Sequence, residues 1–324
     1  MKNRLAGAAA GALRARSELL HAIRDYFYSQ DVGEVNTPTL GVRGVTDVQI
    51  QNMKLDHLDQ TYYLQTSPEY AMKRLLAAGA GSIFQICPAY RGGEQGHIHR
   101  IEFMMLEWYR VGFTMHQLMD DVVNLLNFTT DRIARNRFDF KNVPRISYKD
   151  LFIKNFDLNP HEASLNELRN LSRHIEASSD HITNHHDEGT LSDYLDLLFS
   201  LVIEPQLDRP TIVFDYPASQ VALAQLGKED GNIVAKRFEF FVSGIELANG
   251  YLELGDASEL ENRMIRNNQL RSVRGLERIE PDEELLACLD EMPDCSGIAL
   301  GVDRLLMVLL GKEKLADVSI FTGD

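Results

Sequence analysis

The chain has 324 residues, 44% hydrophobic and 25% charged, which supplies one large domain or two modest ones and argues against disorder. A formal net charge of -15 disfavours a long nucleic-acid track, while local basic pockets for small polyanions such as ATP stay open. Three scattered cysteines, Cys87, Cys288 and Cys295, have neither CxxC nor metal-ligand spacing, which fits a reducing cytoplasm.

In chain order, Lys2 and Arg4 precede a small-residue stretch, Leu5 to Leu13, that faintly resembles a leader. It is followed at once by Arg14 and Arg16 and runs into an amphipathic segment, so it reads as mature chain. Nowhere do about 18 uninterrupted apolar residues occur, so no membrane span is expected. Leu19, Leu20, Ile23 and Phe27 recur at helical spacing and predict a helix over Arg14 to Ser29, leading to an extended turn fixed by Pro38. Strands are expected at Thr61 to Gln65, Ile83 to Ile86 and Glu102 to Leu106, with a helix over Glu69 to Ala78. Trp108, between Glu107 and Tyr109 on the same run, should point the other way, into the core. Residues 147–206 carry helix-period leucines up to Pro205 and read as a helical insertion. His181, His185, His186, Asp187 and Glu188 within it read as a solvated loop rather than a metal site. Strand character returns at Thr211 to Phe214 and Phe238 to Val242, and a helix closes the pattern at Val302 to Leu310. With no repeat or linker, the expectation is a single α+β domain over 1–324, an antiparallel sheet flanked by helices.

Three acids stand out. Ser243-Gly244 separates two apolar β-rich runs and predicts a two-residue hairpin. If Val242 pairs with Ile245, then Phe241 faces Glu246, and Glu239 becomes its diagonal neighbour, roughly 7 Å away at the backbone. Glu253 lies an odd step beyond Glu246 and reaches the same face only through an extra residue, for which Asn249-Gly250 is the natural bulge. Converging carboxylates need cations, either Mg²⁺ bridging phosphates or a ligand ammonium. The alternative is a solvated outer face of the hairpin.

No GxxxxGK[ST] or GxGxxG motif is present, so the P-loop and dinucleotide folds are excluded. Two other segments set an arginine beside glycines: Tyr90-Arg91-Gly92-Gly93 and Gly297 to Arg304. The second places Arg304 in the first turn of a helix, where exposed N–H groups and the dipole favour anions. Either segment can also be a structural turn.

Pro38 in its setting, Tyr90-Arg91 with Glu102-Phe103, and Gly301 to Arg304 resemble motifs 1, 2 and 3 of the class II aminoacyl-tRNA synthetases. Thr66-Ser67-Pro68-Glu69-Tyr70, Met105 to Tyr109 and Ile245 to Gly250 narrow the resemblance to the lysyl branch, over nearly the whole chain. Within it, the start almost at motif 1, the wording of Ile245 to Gly250 and Pro293 to Gly297, and Ala299 in place of a family glycine look like the paralogues that modify elongation factor P.

The resemblance implies an ATP-dependent ligase that activates (R)-β-lysine or lysine as an adenylate and passes it to a lysine of elongation factor P. It also implies a cytoplasmic homodimer, without an anticodon-binding domain and without tRNA. By position it gives Arg91 the α-phosphate, Arg304 the γ-phosphate and Phe103 the adenine, with Leu247 and Gly301 also at ATP, and Glu239 and Glu246 on Mg²⁺. Glu107, Tyr109 and Glu253 would receive the side-chain ammonium, and Ser67, Pro68, Glu69, Asn249 and Ala299 would surround the rest of the amino acid. An adenylate site for a diamine needs such carboxylates and arginines. Two departures concern motif 2: Glu94 falls one place late after Gly92-Gly93, and Arg100-Ile101 replaces Asn-Pro. A lost adenine hydrogen bond costs about 0.5 to 3 kcal/mol, so an active enzyme with weakened ATP binding is expected. The rival readings are a truncated lysyl-tRNA synthetase and a non-catalytic binding paralogue.

Overall fold

The computed structural model of the chain describes residues 8–133, 139–178 and 189–319, and the histidine-rich stretch from His181 to Glu188 lies outside them. In chain order come α1 (Ala8–Ser29), β1 (Gly33–Glu34), β2 (Leu40–Gly41), β3 (Met53–His57), β4 (Gln60–Leu64), α2 (Glu69–Ala77), β5 (Ile83–Tyr90), β6 (Glu102–Val111) and α3 (Met115–Ile133). Then follow β7 (Arg145–Ser147), α4 (Tyr148–Phe156), α5 (Leu165–Ser178), α6 (Leu191–Leu198), β8 (Thr211–Pro217), β9 (Leu226–Glu229), β10 (Asn232–Val242) and β11 (Ile245–Leu252). The described chain ends with α7 (Ala257–Val273), α8 (Glu283–Leu286), β12 (Cys295–Gly301) and α9 (Val302–Leu310). Packing gathers these α+β elements into two compact units, one of Met1–Lys141 with Leu252–Asp324, the other of Asn142–Tyr251.

In the first unit, β6 is flanked by antiparallel β5 and β12, and β1 lies parallel to β5. Strands β2, β4 and β3 make a separate small antiparallel sheet. The apolar stripe of α1 is buried at Leu19, Ile23 and Phe27. Phe27 stacks on Phe84 of β5 with ring centroids 4.6 Å apart and lies 5.3 Å from Trp108. Trp108 points into this core, as strand alternation requires, and its Nε1–H donates to Asp121 of α3 at 3.1 Å. Helix α7 has no apolar stripe to announce it: its buried side includes Arg263, Asn268 and Arg271. Asn268 satisfies both backbone groups of Ile279, and Arg271 donates to the carbonyls of Glu277 and Asp47.

In the second unit, β10 pairs antiparallel with β8, β9 and β11, and β7 runs parallel to β8. Helices α4, α5 and α6 occupy the stretch expected to be helical. Ser147 caps α4 by accepting from Asp150 N–H, and Thr190 with Asp193 forms a capping box on α6. The α-helix ends at Leu198, ahead of Pro205 as expected. After Leu198 it widens into a π turn over Phe199–Ile203, then tightens into a 3₁₀ turn, Glu204–Gln206, that accommodates the proline in its first turn. Tyr148, Phe152, Phe199, Tyr216 and Phe241 form the aromatic centre of this unit. Among the described residues no helix is long and apolar enough to cross a membrane.

Candidate active site

The first unit builds its candidate site on one face of β6. Alternation sets Phe103, Met105, Glu107 and Tyr109 together on that face. The registers Gly297↔Tyr109, Ala299↔Glu107 and Gly301↔Met105 put three small residues of β12 beside them. At Gly297 there is no room for more: a Cβ there would collide with the Glu253 carboxylate and the Tyr109 ring. Its N–H also hydrogen-bonds the Glu253 carboxylate.

Three predicted acids meet here. Glu107 is 2% exposed and accepts from Ser67 Oγ at 2.5 Å and from Tyr109 Oη at 2.6 Å. Ser67 is itself held by the N–H of Glu69, the first residue of α2, which begins after Pro68. Glu253 follows β11, and its N–H donates to Cys295 O at 3.0 Å, which draws its side chain toward β12. Between Glu69 and Glu253 stands a residue the sequence reading missed. Lys73, on the buried side of α2 with Met72 and Leu76, places Nζ 2.7 Å from a carboxylate oxygen of each. Its spacing of four from Glu69 was the available signal, but such a pair usually decorates an exposed helix face. Lys73 and Glu253 are both 2% exposed. Thus Glu253, expected to meet a ligand's side-chain ammonium, and Glu69, expected near the rest of the amino acid, already share an internal ammonium, and the Tyr109 hydroxyl is committed to Glu107.

Crowded carboxylates in a dry site resist ionisation. Burial, with the charge of Glu69 behind it, pushes the Glu107 carboxyl up to about 8 against the opposing hydrogen bonds from Ser67 and Tyr109. Burial likewise raises Glu253 to about 7, although Lys73 pulls it down. Burial alone would lower the Lys73 ammonium, but the charges of Glu253 and Glu69 reverse the direction and keep it protonated.

The basic residues gather near the ends of the same strands. The Arg91 guanidinium lies over the Phe103 ring, 5.3 Å from its centroid, and 3.7 Å from Glu94. The late glutamate of motif 2 therefore still reaches its arginine. Glycine is needed in this loop because Gln51 lies across it: Gly92 N–H donates to Gln51 O at 2.8 Å, and a Cβ at Gly92 would sit 2.9 Å from the Gln51 side chain. Gly93 adds a positive φ of 75°. Arg100, the other departure, donates to Ser319 Oγ at 2.6 Å. Arg304 lies in the first turn of α9, and its Nε donates to Ile98 O at 3.1 Å. Gly301 gives α9 no side-chain cap, and the acid of that turn, Asp303, is bound to Arg16 and to Met104 N–H. An anion-favouring helix terminus with an arginine is the result.

The second unit carries Glu239, Glu246, Leu247 and Asn249. The hairpin register is the expected one, Val242↔Ile245 and Phe241↔Glu246, around a turn whose Ser243 and Gly244 have φ of 52° and 71°. The bulge is present but displaced. Pairing passes from Phe241↔Glu246 to Phe240↔Ala248, so the extra residue is Leu247, not Asn249-Gly250. Its side chain is 2% exposed, and burial of that leucine gives the extra residue a reason to sit there. Glu239 then pairs with Asn249 and shares a face with Glu246. Arg237, unassigned from sequence although only two residues before Glu239 on the same face, forms an ion pair with Glu239, and Tyr216 Oη donates to the other oxygen at 2.6 Å. Burial pushes Glu239 up to about 7, with Arg237 opposing and the Glu246 charge adding to the rise. Asn249 donates to Tyr251 Oη at 3.1 Å, while its own Oδ1 is buried without a partner.

The Cys87 and Cys295 thiols are buried and pushed up to about 12 by that burial, which makes them poor nucleophiles. With arginines at one end of the first unit's strands and acids along them, the arrangement fits the synthesis of an acyl phosphate ester from a cationic amino acid. The chain belongs to the class II tRNA synthetases, since the family model described as "tRNA synthetases class II (D, K and N)" matches residues 6–324. It is therefore a ligase of the adenylating, class II type. Within the family it is 40% identical over 321 residues to a protein of Edwardsiella ictaluri named "Elongation factor P--(R)-beta-lysine ligase", covering 96% of this chain and 95% of that one. Proteins of the same name from Salmonella arizonae and Photorhabdus laumondii subsp. laumondii are 41% and 40% identical, over 96% and 97% of this chain and 95% and 96% of theirs.

Proposed function

We propose that the chain activates (R)-β-lysine, or lysine, with ATP and transfers the aminoacyl group to a lysine ε-amine of elongation factor P. The observation that carries the reading is the dry cluster of Glu69, Glu107 and Glu253 around Lys73, in a chain similar throughout to ligases of that name. A surplus of buried carboxylates is costly until a cation enters, and a diamino acid brings ammonium groups.

In the first step a carboxylate oxygen of the amino acid attacks the α-phosphorus of ATP, the bond to the bridging oxygen breaks, and pyrophosphate leaves. In the second, the neutral acceptor amine attacks the adenylate carbonyl, an amide forms, AMP departs and the amine's proton passes to solvent. In this reading Arg91, which lies over the Phe103 ring, holds the α-phosphate and the adenine stacks on Phe103. Arg304 at the uncapped start of α9 takes the terminal phosphate, with Gly301 beside it. Ser67, Pro68 and Ala299 shape the amino-acid side of the first unit's site. Catalysis then rests on positioning and preorganised charge, with no covalent enzyme intermediate.

Magnesium fits the residues present. Glu239 and Glu246 are hard donors on one face, and an ion reaching Glu239 would replace its contact to Arg237 or to Tyr216. One or two carboxylates suffice for an ion that keeps water and phosphate as its other ligands. When bound, Mg²⁺ would neutralise phosphate charge. We place the enzyme in the cytoplasm as a homodimer acting without tRNA.

The deciding experiment is ATP–pyrophosphate exchange with α- and β-lysine, followed by mass spectrometry of elongation factor P after incubation with enzyme, ATP and the preferred isomer. Exchange with at least one isomer and a mass gain of one aminoacyl group on the acceptor are expected. No exchange with any isomer would remove the ligase reading, and exchange with an unchanged acceptor mass would remove the partner.

A further inference from the structure

Lys73 takes no part in the reaction just described, yet it is the buried cation at the centre of the acidic cluster. Its Nζ touches Glu69 and Glu253 at 2.7 Å each. These acids come from α2 and from the segment after β11, which are held together here by one ammonium. Around it lie Glu69 and Tyr70 of α2, Glu253, and Cys295 of β12, and beside those acids stand Glu107 and Tyr109 of β6. Burial raises Tyr70, Tyr109 and Cys295, so all three stay neutral at physiological pH. The charge count is therefore set by three carboxylates and one lysine, and with every acid ionised the cluster falls two positive charges short of balance.

We infer that Lys73 is a positioning residue that sets the amino-acid selectivity of this pocket, by clamping Glu69 and Glu253 to a common point and leaving room for two ligand ammonium groups. The inference rests on the adenylating reading above. Its chemistry is a matter of spacing. Lysine and β-lysine have the same atoms and charges, but their two nitrogens are separated by four carbon–carbon bonds in the α isomer and three in the β isomer. Acids free to move would accept both. Two acids tethered to one Nζ cannot spread beyond what the paired 2.7 Å contacts allow, so the pocket measures the separation between the nitrogens. A difference of one methylene is worth about 10- to 200-fold in selection when the surroundings are rigid.

The test compares the wild type with Lys73→Met, Lys73→Gln and Lys73→Arg in ATP–pyrophosphate exchange, using (R)-β-lysine, L-lysine and ornithine across pH 6 to 9, with the number of active sites measured from the adenylate burst. For K73M and K73Q, the KM for the preferred amino acid should rise at least tenfold and the ratio of kcat/KM between isomers should move at least tenfold toward unity, while the KM for ATP stays within twofold. Loss of the internal cation also makes the acids harder to ionise, so the acidic limb of the pH profile should move to higher pH. The conservative variant K73R keeps the charge and alters its reach, so it should hold the pH limb and still change the isomer ratio. Variants that lose only active-site number, with isomer ratio and pH limb as in the wild type, would make Lys73 structural and overturn the inference. Failure of all three to fold beside a folded Glu253→Gln would overturn it equally. If the wild type itself activates no isomer, the adenylating reading has failed, a result visible before any variant is made.

Discussion

Glu253 and Glu246 began as rungs of one acidic ladder, and their surroundings give them different work. Glu253 shares Lys73 with Glu69 in a dry pocket, whereas Glu246 is half-buried and acts electrostatically on Glu239. Glu253→Gln is expected to raise the amino-acid KM about 10- to 100-fold, the worth of one charged contact of about 1.5 to 3 kcal/mol, with the Mg²⁺ requirement unchanged. Glu246→Gln should do the reverse, lowering kcat and raising the Mg²⁺ concentration needed for half-maximal exchange. Steady-state exchange titrated with lysine and with Mg²⁺ separates the two, and equal mild effects from both would return the ladder to inert surface. The acids were legible at this scale because charge in an apolar strand is conspicuous. Lys73 was not, since a lysine four residues from a glutamate reads as a surface ion pair and its second partner, Glu253, lies far away in the chain. Arg237 escaped for a related reason: a residue at the start of an apolar run is identified as a partner only once the register is known.

At the level of the element, β12 owes its role to what it omits. Gly297, Ala299 and Gly301 offer almost no side-chain bulk on the face where β6 presents Tyr109, Glu107 and Met105, and the freed volume holds the acid cluster. Gly297→Ala should therefore raise the KM for the amino acid at least tenfold while leaving that for ATP within twofold. A loss of stability of about 1 to 3 kcal/mol, typical of overpacking, should appear beside it in thermal unfolding. An unchanged amino-acid KM would show that the Glu253 carboxylate can retreat without consequence. Helix α9 and the hairpin turn could be read from the sequence because each obeys a single local rule, helical periodicity or a two-residue turn. The bulge at Leu247 could not, because Leu247, Asn249 and Gly250 are all chemically able to host it and only burial of the leucine chooses. Helix α7 was hidden by the polar residues on its inner face, whose partners are carbonyls of other segments.

For the whole molecule, the buried acids make stability depend on pH. Glu107, Glu253 and Glu239 hold protons in the folded state at about 8, 7 and 7, against the ordinary 4.5. Across that window the native protein binds more protons than the unfolded chain, so their contribution to stability is full below about 4.5 and is lost as pH rises through 7 to 8. The ligand-free protein should thus melt at a lower temperature at pH 8.5 than at pH 6, and Glu107→Gln should flatten the slope. A melting temperature that rises over the same range would contradict the cluster's electrostatics. The α+β class and the family were legible from motifs spread over the entire chain. The division into two units was not, because no change of composition marks where the second begins or ends.

The order of synthesis gives the pairing of β6 a temporal meaning. Its edge toward β5 can be covered early in translation, but its other edge waits for β12, residues 295–301, and so does Glu253, whose backbone and carboxylate are both held by that strand. On the ribosome, β6 must remain with one edge open while the whole of Asn142–Tyr251 is made, an invitation to chaperones. Glu253 and its partners on β12 can therefore come together only after residues 142–251 have been made.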